Sequence, residues 1–97
     1  MAYAVAATWR ALEGQQDEVR RILEQVAPLS RAEPGCRMFV VHESPDDPRT
    51  FFLYEQYDDE SAFQAHAASE HVRRHVLEDA VHRLEHRERT FYRTTDA

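Results

Sequence analysis

Residues 3–12 alternate, with Tyr3, Val5, Ala7 and Trp9 on one side and Ala4, Ala6, Thr8 and Arg10 on the other. A period of two with aromatic and β-branched members predicts a strand, and neither face turns polar before Arg10. Gly14 breaks it. Val19, Ile22, Leu23 and Val26 then recur at helical spacing behind Asp17 and Glu18, which sit at the positive end of the predicted helix. Pro28 predicts that regular helix stops or kinks near Ala27, because proline removes a hydrogen bond and crowds the preceding turn. Glu33-Pro34-Gly35 reads as turn punctuation.

Alternation resumes at Cys36–Glu43, with Met38, Val40 and His42 on one face and Phe39 and Val41 on the other. A polar loop over residues 44–48 closes a hairpin onto a third strand, Thr50–Tyr57, whose two sides carry Phe51, Leu53, Glu55, Tyr57 and Phe52, Tyr54, Gln56. Asp59 or Ser61 caps the next predicted helix, whose apolar side is Ala62, Phe63, His66 and Ala67. Ser69 and Glu70 mark a restart, with a second helical segment to about Leu84 through Val72, Val76, Leu77, Ala80 and Val81. Residues 88–94 alternate again and predict a terminal strand with one wet edge.

The order β-α-β-β-α-β predicts an α+β domain with the ferredoxin-like split pattern: a four-stranded antiparallel sheet with helices on one face. The strands are apolar on both faces, so the open face needs a cover. A second copy of the chain, sheet against sheet, is the economical one, which predicts a homodimer.

Ninety-seven residues leave room for a single domain, residues 1–97, and no second core. The net charge of −6, with twelve arginines scattered among eighteen acids, speaks against nucleic acid or an anionic membrane as partner. The apolar N-terminus lacks the basic start of a signal peptide, and no window approaches the roughly 18 apolar residues of a membrane span. Cys36 is the only cysteine. With no disulfide possible within the chain, a reducing, cytoplasmic setting is expected, and Cys36 reads as a small buried hydrophobe.

The stretches EPGCRMFVVHE and FFLYEQYDDESAFQAHAASEH carry a resemblance. The chain resembles the antibiotic biosynthesis monooxygenase family of dimeric α+β barrel proteins, at Glu33, Gly35, Cys36, Tyr54, Glu55, Gln56, Tyr57, His66 and His71. That resemblance implies a pocket between sheet and helices, in which a small aromatic quinol or polyketide-like substrate is oxidised by O2 with no metal, flavin or other cofactor. It implies substrate walls at Trp9, Met38, Tyr57 and Phe63. Haem-degrading relatives carry Asn, Trp and a ligand His where this chain has Ala7, His66 and Val76, so haem degradation is not implied. The alternatives are a non-catalytic small-molecule-binding or accessory module of the same fold, or an isomerase-type activity on a small carbonyl compound.

A histidine of near-neutral pKa is the natural base for removing a phenolic proton. His66 shares its helix face with Phe63 and should point at the sheet, while His71 stands at the expected pocket mouth. Glu55 lies on an apolar strand face and needs a partner there, for which a histidine is suitable. His66, His71 and Glu55 are therefore the catalytic candidates. Each also has a plainer reading, a hydrogen-bonded structural histidine or a carboxylate that pins the helix. His71, His75 and His82 recur at helical spacing, but interleaved arginines make a solvated face the expectation and no metal site is predicted there.

Overall fold

A computed structural model describes residues 1–96. Strands β1 (Tyr3–Ala11), β2 (Cys36–Glu43), β3 (Thr50–Tyr57) and β4 (Leu84–Arg93) form one antiparallel sheet in the order β2-β3-β1-β4. Helices α1 (Gln16–Arg31) and α2 (Glu60–Ala67), a π-helical segment (Val72–Leu77) and a 3₁₀ turn (Ala80–Arg83) complete the chain. This is the predicted α+β arrangement. β1 is central, with Tyr3 opposite Tyr57 and Trp9 opposite Phe51 on one side, and Val5 opposite Phe91 and Trp9 opposite Arg87 on the other.

Directly opposed residues of an antiparallel pair share a face. The inner face therefore collects Val5, Ala7, Trp9, Phe39, Phe51 and Leu53, all buried, and Val19, Ile22, Leu23, Val26 and Ala27 of α1 pack onto the same core. Burial of this apolar surface supplies most of the drive to fold, on the order of 2 kcal/mol for each large side chain removed from water.

Two boundaries differ from the sequence expectation. α1 does not stop near Ala27 but runs through Pro28 to Arg31. Pro28 lies in the last turn on the wet side with Glu24, so the carbonyl it cannot serve is left to water. Ser30, one turn beyond Val26 and Ala27, is still buried. The second correction concerns the stretch to Leu84. It is not one helical segment, and β4 begins at Leu84 rather than at residue 88. Glu85 receives hydrogen bonds from Arg10 and from Arg49 (2.9 Å), and the Leu12 amide donates to the Arg83 carbonyl (2.8 Å), so the strand is tied to β1 from its first residues.

Local chemistry sets the elements around the site. Asp59, not Ser61, caps α2: its carboxylate accepts from the Ala62 amide at 2.8 Å. Gly35 lets α2 approach the turn into β2. A Cβ there would stand 2.5 Å from Ala62 Cβ, so only glycine fits.

The outer face is bare. Met38, Val40 and Phe52 are 40, 39 and 38% exposed, an amount that marks a surface rather than a core. Met38, expected as a pocket wall, is on this face and away from the helices. The alternation of β2 sends Phe39 inward instead.

Candidate active site

A cavity of about 220 Å³ lies between the inner sheet face and the helices. Its walls are mainly apolar, from Val5, Ala7, Phe39, Leu53, Val72 and Val76, with the rings of Trp9 and Phe63. Five polar residues border it from inside the chain or along its rim: Glu55, His66, Arg87, Glu88 and Arg89. It exceeds the ~150 Å³ that accommodates benzene in a protein interior, so a small aromatic molecule fits.

His66 projects inward from α2 and is 7% exposed. Its ring is held among those of Tyr57, Phe39 and Phe63, at centroid distances of 5.1, 5.8 and 6.2 Å. The Nδ1 side faces Glu33, whose two carboxylate oxygens lie 2.9 and 3.2 Å away. A carboxylate accepts, so Nδ1 carries the hydrogen and Nε2 keeps a bare lone pair. That Nε2 points toward Glu55 Oε1 at 3.8 Å, too far for a hydrogen bond. Burial pushes the His66 pKa down and the Glu33 contact only partly opposes this, so His66 is neutral at pH 7.

His71 does not line the cavity. Its Nε2–H donates to Glu33 Oε2 at 2.6 Å, with Ser69 Oγ 3.3 Å away. The Ser69 hydroxyl also accepts from the Val72 amide (3.3 Å) and so ties the ring to the start of the π-helical segment. Glu33 is thus shared by both histidines and fixes the orientation of each.

Glu55 is 6% exposed and accepts a 2.6 Å hydrogen bond from the Tyr57 hydroxyl. Burial pushes its carboxyl up to about 7, against the downward pull of the Tyr57 hydrogen bond. Tyr57, fully buried, lies behind Glu55 and not on the cavity wall, and burial drives its phenol far above the ordinary range. Tyr57 is therefore a support for Glu55 rather than a substrate wall. Cys36 is half-buried, and burial pushes its thiol up to about 11, which keeps it protonated and a poor nucleophile.

Glu33, His66 and His71 bring three potential metal-ligating atoms within 4.8 Å of one another. Two imidazoles and a carboxylate are a zinc-type donor set. In this structure the three groups are joined by hydrogen-bond contacts of 2.6 and 2.9 Å, with Glu33 accepting from both imidazoles.

Of the residues expected from sequence, the structure brings His66, Glu55, Trp9 and Phe63 to one cavity, sets His71 and Tyr57 just behind it, and turns Met38 away. By sequence Glu33 is turn punctuation and one of the residues of the resemblance, and residues 88–94 are a strand with a wet edge; neither reading places Glu33, Arg87 or Arg89 at the site. The sequence signals for Glu33 are its place in the family resemblance and a carboxylate in an otherwise turn-forming tripeptide. For the arginines the signal is their alternation in register with Phe91.

A family model described as antibiotic biosynthesis monooxygenase matches residues 2–77. The chain belongs to this family. Structures of the same fold include Rv0793 of Mycobacterium tuberculosis, at 24% identity and TM-score 0.91, covering 100% of this chain and 98% of that one. Protein PA3566 of Pseudomonas aeruginosa is 28% identical, with TM-score 0.85 and coverage of 97% and 95%. A structure described as an antibiotic biosynthesis monooxygenase is 21% identical, with TM-score 0.89 and coverage of 96% and 98%. No curated protein matches the chain in sequence. Like the family pattern, the chain is a small α+β domain, and none of its described helices is long and apolar enough to cross a membrane.

Proposed function

We propose that the chain is a monooxygenase that oxidises a small aromatic quinol or polyketide-like substrate with O2 and needs no cofactor. The observation that carries this reading is the neutral His66, its Nδ1 held by Glu33 and its Nε2 free at the wall of an apolar cavity. His66 takes a phenolic proton, which leaves the electron pair on the ring oxygen. One electron passes to O2, and the ring radical and superoxide join through a new C–O bond. The peroxide takes the proton from His66, loses the ring hydrogen to the same base, and its O–O bond breaks. One oxygen stays on the ring and the other leaves as water, so a quinol and O2 become a hydroxyquinone and water. Glu33 orients the base, and Glu55, protonated near neutral pH, is placed to hydrogen-bond the substrate oxygen.

Oxygen uptake with a panel of naphthoquinols tests this, with consumption of one O2 per quinol as the expected result. Ligand binding without oxygen consumption by any member would replace the enzyme with a binding module of the same fold.

The bare outer face, with Met38, Val40 and Phe52 exposed together, supports a homodimer built sheet against sheet. Light scattering should then give twice the chain mass of 11.4 kDa at micromolar concentration. A value of one chain mass removes the proposal.

A further inference from the structure

Arg87 and Arg89 occupy alternate positions on β4, opposite Trp9 and Ala7 of β1, and both line the cavity. Their guanidinium groups lie over aromatic rings: Arg87 at 5.8 Å from the Trp9 centroid, Arg89 at 5.6 Å from Phe63 and 5.3 Å from Phe91. Eight other arginines of the chain ion-pair with carboxylates or bond a backbone carbonyl. Among the described residues neither Arg87 nor Arg89 has a carboxylate within salt-bridge distance. Glu88, between them in sequence, also borders the cavity, but its carboxylate lies 3.5 Å from His86 and forms no salt bridge with either arginine. Glu55, the buried acid of the cavity, feels the charge of both arginines without reaching salt-bridge distance, and burial raises its carboxyl to about 7.

A chain of net charge −6 with eighteen acids has thus left two guanidinium groups at the rim of an apolar cavity without a salt bridge. A guanidinium stacked on a ring still presents its N–H edge, and that edge matches a carboxylate in two parallel hydrogen bonds. We infer that the site takes a flat aromatic carboxylate, its ring between Trp9 and Phe63 and its carboxylate on the Arg87–Arg89 pair. This inference rests on the cavity being the substrate site. It adds to the proposed activity that the quinol ring oxidised there also bears a carboxylate. Arg87 and Arg89 hold the anion, while the hydroxyl to be deprotonated faces His66 and Glu55 deeper in.

The test is binding rather than turnover. 1-Naphthoate and 1-naphthamide have the same ring and nearly the same shape, and neither carries a phenolic proton for the enzyme to remove. Binding to the wild-type protein is read by calorimetry and by the fluorescence of Trp9, the only tryptophan. Naphthoate should bind at least tenfold more tightly than naphthamide, a preference that general attraction to an acidic protein cannot produce. In the R87Q/R89Q double variant that preference should vanish while naphthamide binding persists. Glutamine keeps part of the apolar stem that covers Trp9 and Phe63 and removes the charge. Equal affinity for the two compounds, failure of both to bind, or a preference that survives in the double variant would each overturn the inference. A clear naphthoate preference with no oxygen uptake from any quinol, carboxylated naphthoquinols included, would instead sink the proposed reaction and leave the anion site standing.

Discussion

Replacing His66 with alanine should lower oxygen uptake with the best quinol by about 10²–10⁴-fold, the usual contribution of a positioned general base. The expectation follows from geometry: His66 alone of the two histidines lines the cavity, and Glu33 leaves its Nε2 unprotonated. Because His66 is buried, alanine also opens a hole, so His66→Gln is the companion variant that keeps the volume. Glu33→Gln should lose less, about 10–100-fold, since it leaves the base in place but loosens its orientation. The pH profile separates these roles. Burial lowers the His66 pKa, so wild-type kcat/KM should fall only as the pH drops below the ordinary histidine value of 6.5. Unchanged turnover in His66→Gln and His66→Ala would remove His66 as the base.

Glu55→Gln should make stability less dependent on pH, and in a direction fixed by linkage. Burial raises the Glu55 carboxyl from 4.5 to about 7 in the folded state. Between those values the folded protein keeps a proton that the unfolded chain has released. The folded state therefore binds more protons, and stability falls as pH rises through the folded value. Its contribution is fully present below 4.5 and is lost by about pH 7–8. Glutamine keeps an acceptor for the Tyr57 hydroxyl, which donates at 2.6 Å, and never ionises. The variant should gain about 2–3 kcal/mol on the wild type between pH 5 and pH 8. His66 acts in the opposite sense, because its lowered pKa makes it a neutral group whose stability contribution is lost as pH falls below 6.5. Since both proteins contain His66, the difference between them isolates Glu55. Urea unfolding at the two pH values measures it, and a gap that stays constant with pH would contradict the assignment.

The sequence by itself determined the element order, the inward side of β3 and the antiparallel sheet, because those features follow from residues two to four apart. Alternation of Phe51, Leu53, Glu55 and Tyr57 is a backbone property, and it put Glu55 on the buried side before any fold was known. The same local logic placed His66 on the inner stripe of α2, and the residues between Glu33 and His71 carry the resemblance to the family. Local logic failed at α1, where a proline in a wet last turn costs only one hydrogen bond and the helix runs on. It also could not choose between the two apolar faces of β2, so Met38 was assigned to the wrong one. Only the tertiary structure decided that Glu33 meets His66 and His71, which are 33 and 38 residues away. That meeting depends on the Gly35 contact that lets α2 close against the turn, and on the cap that starts α2 at Asp59. The register of β4 on β1 likewise set Arg87 beside Trp9 and Arg89 beside Ala7. Strand register across such a distance depends on which faces become buried together, and no short stretch of sequence carries that information.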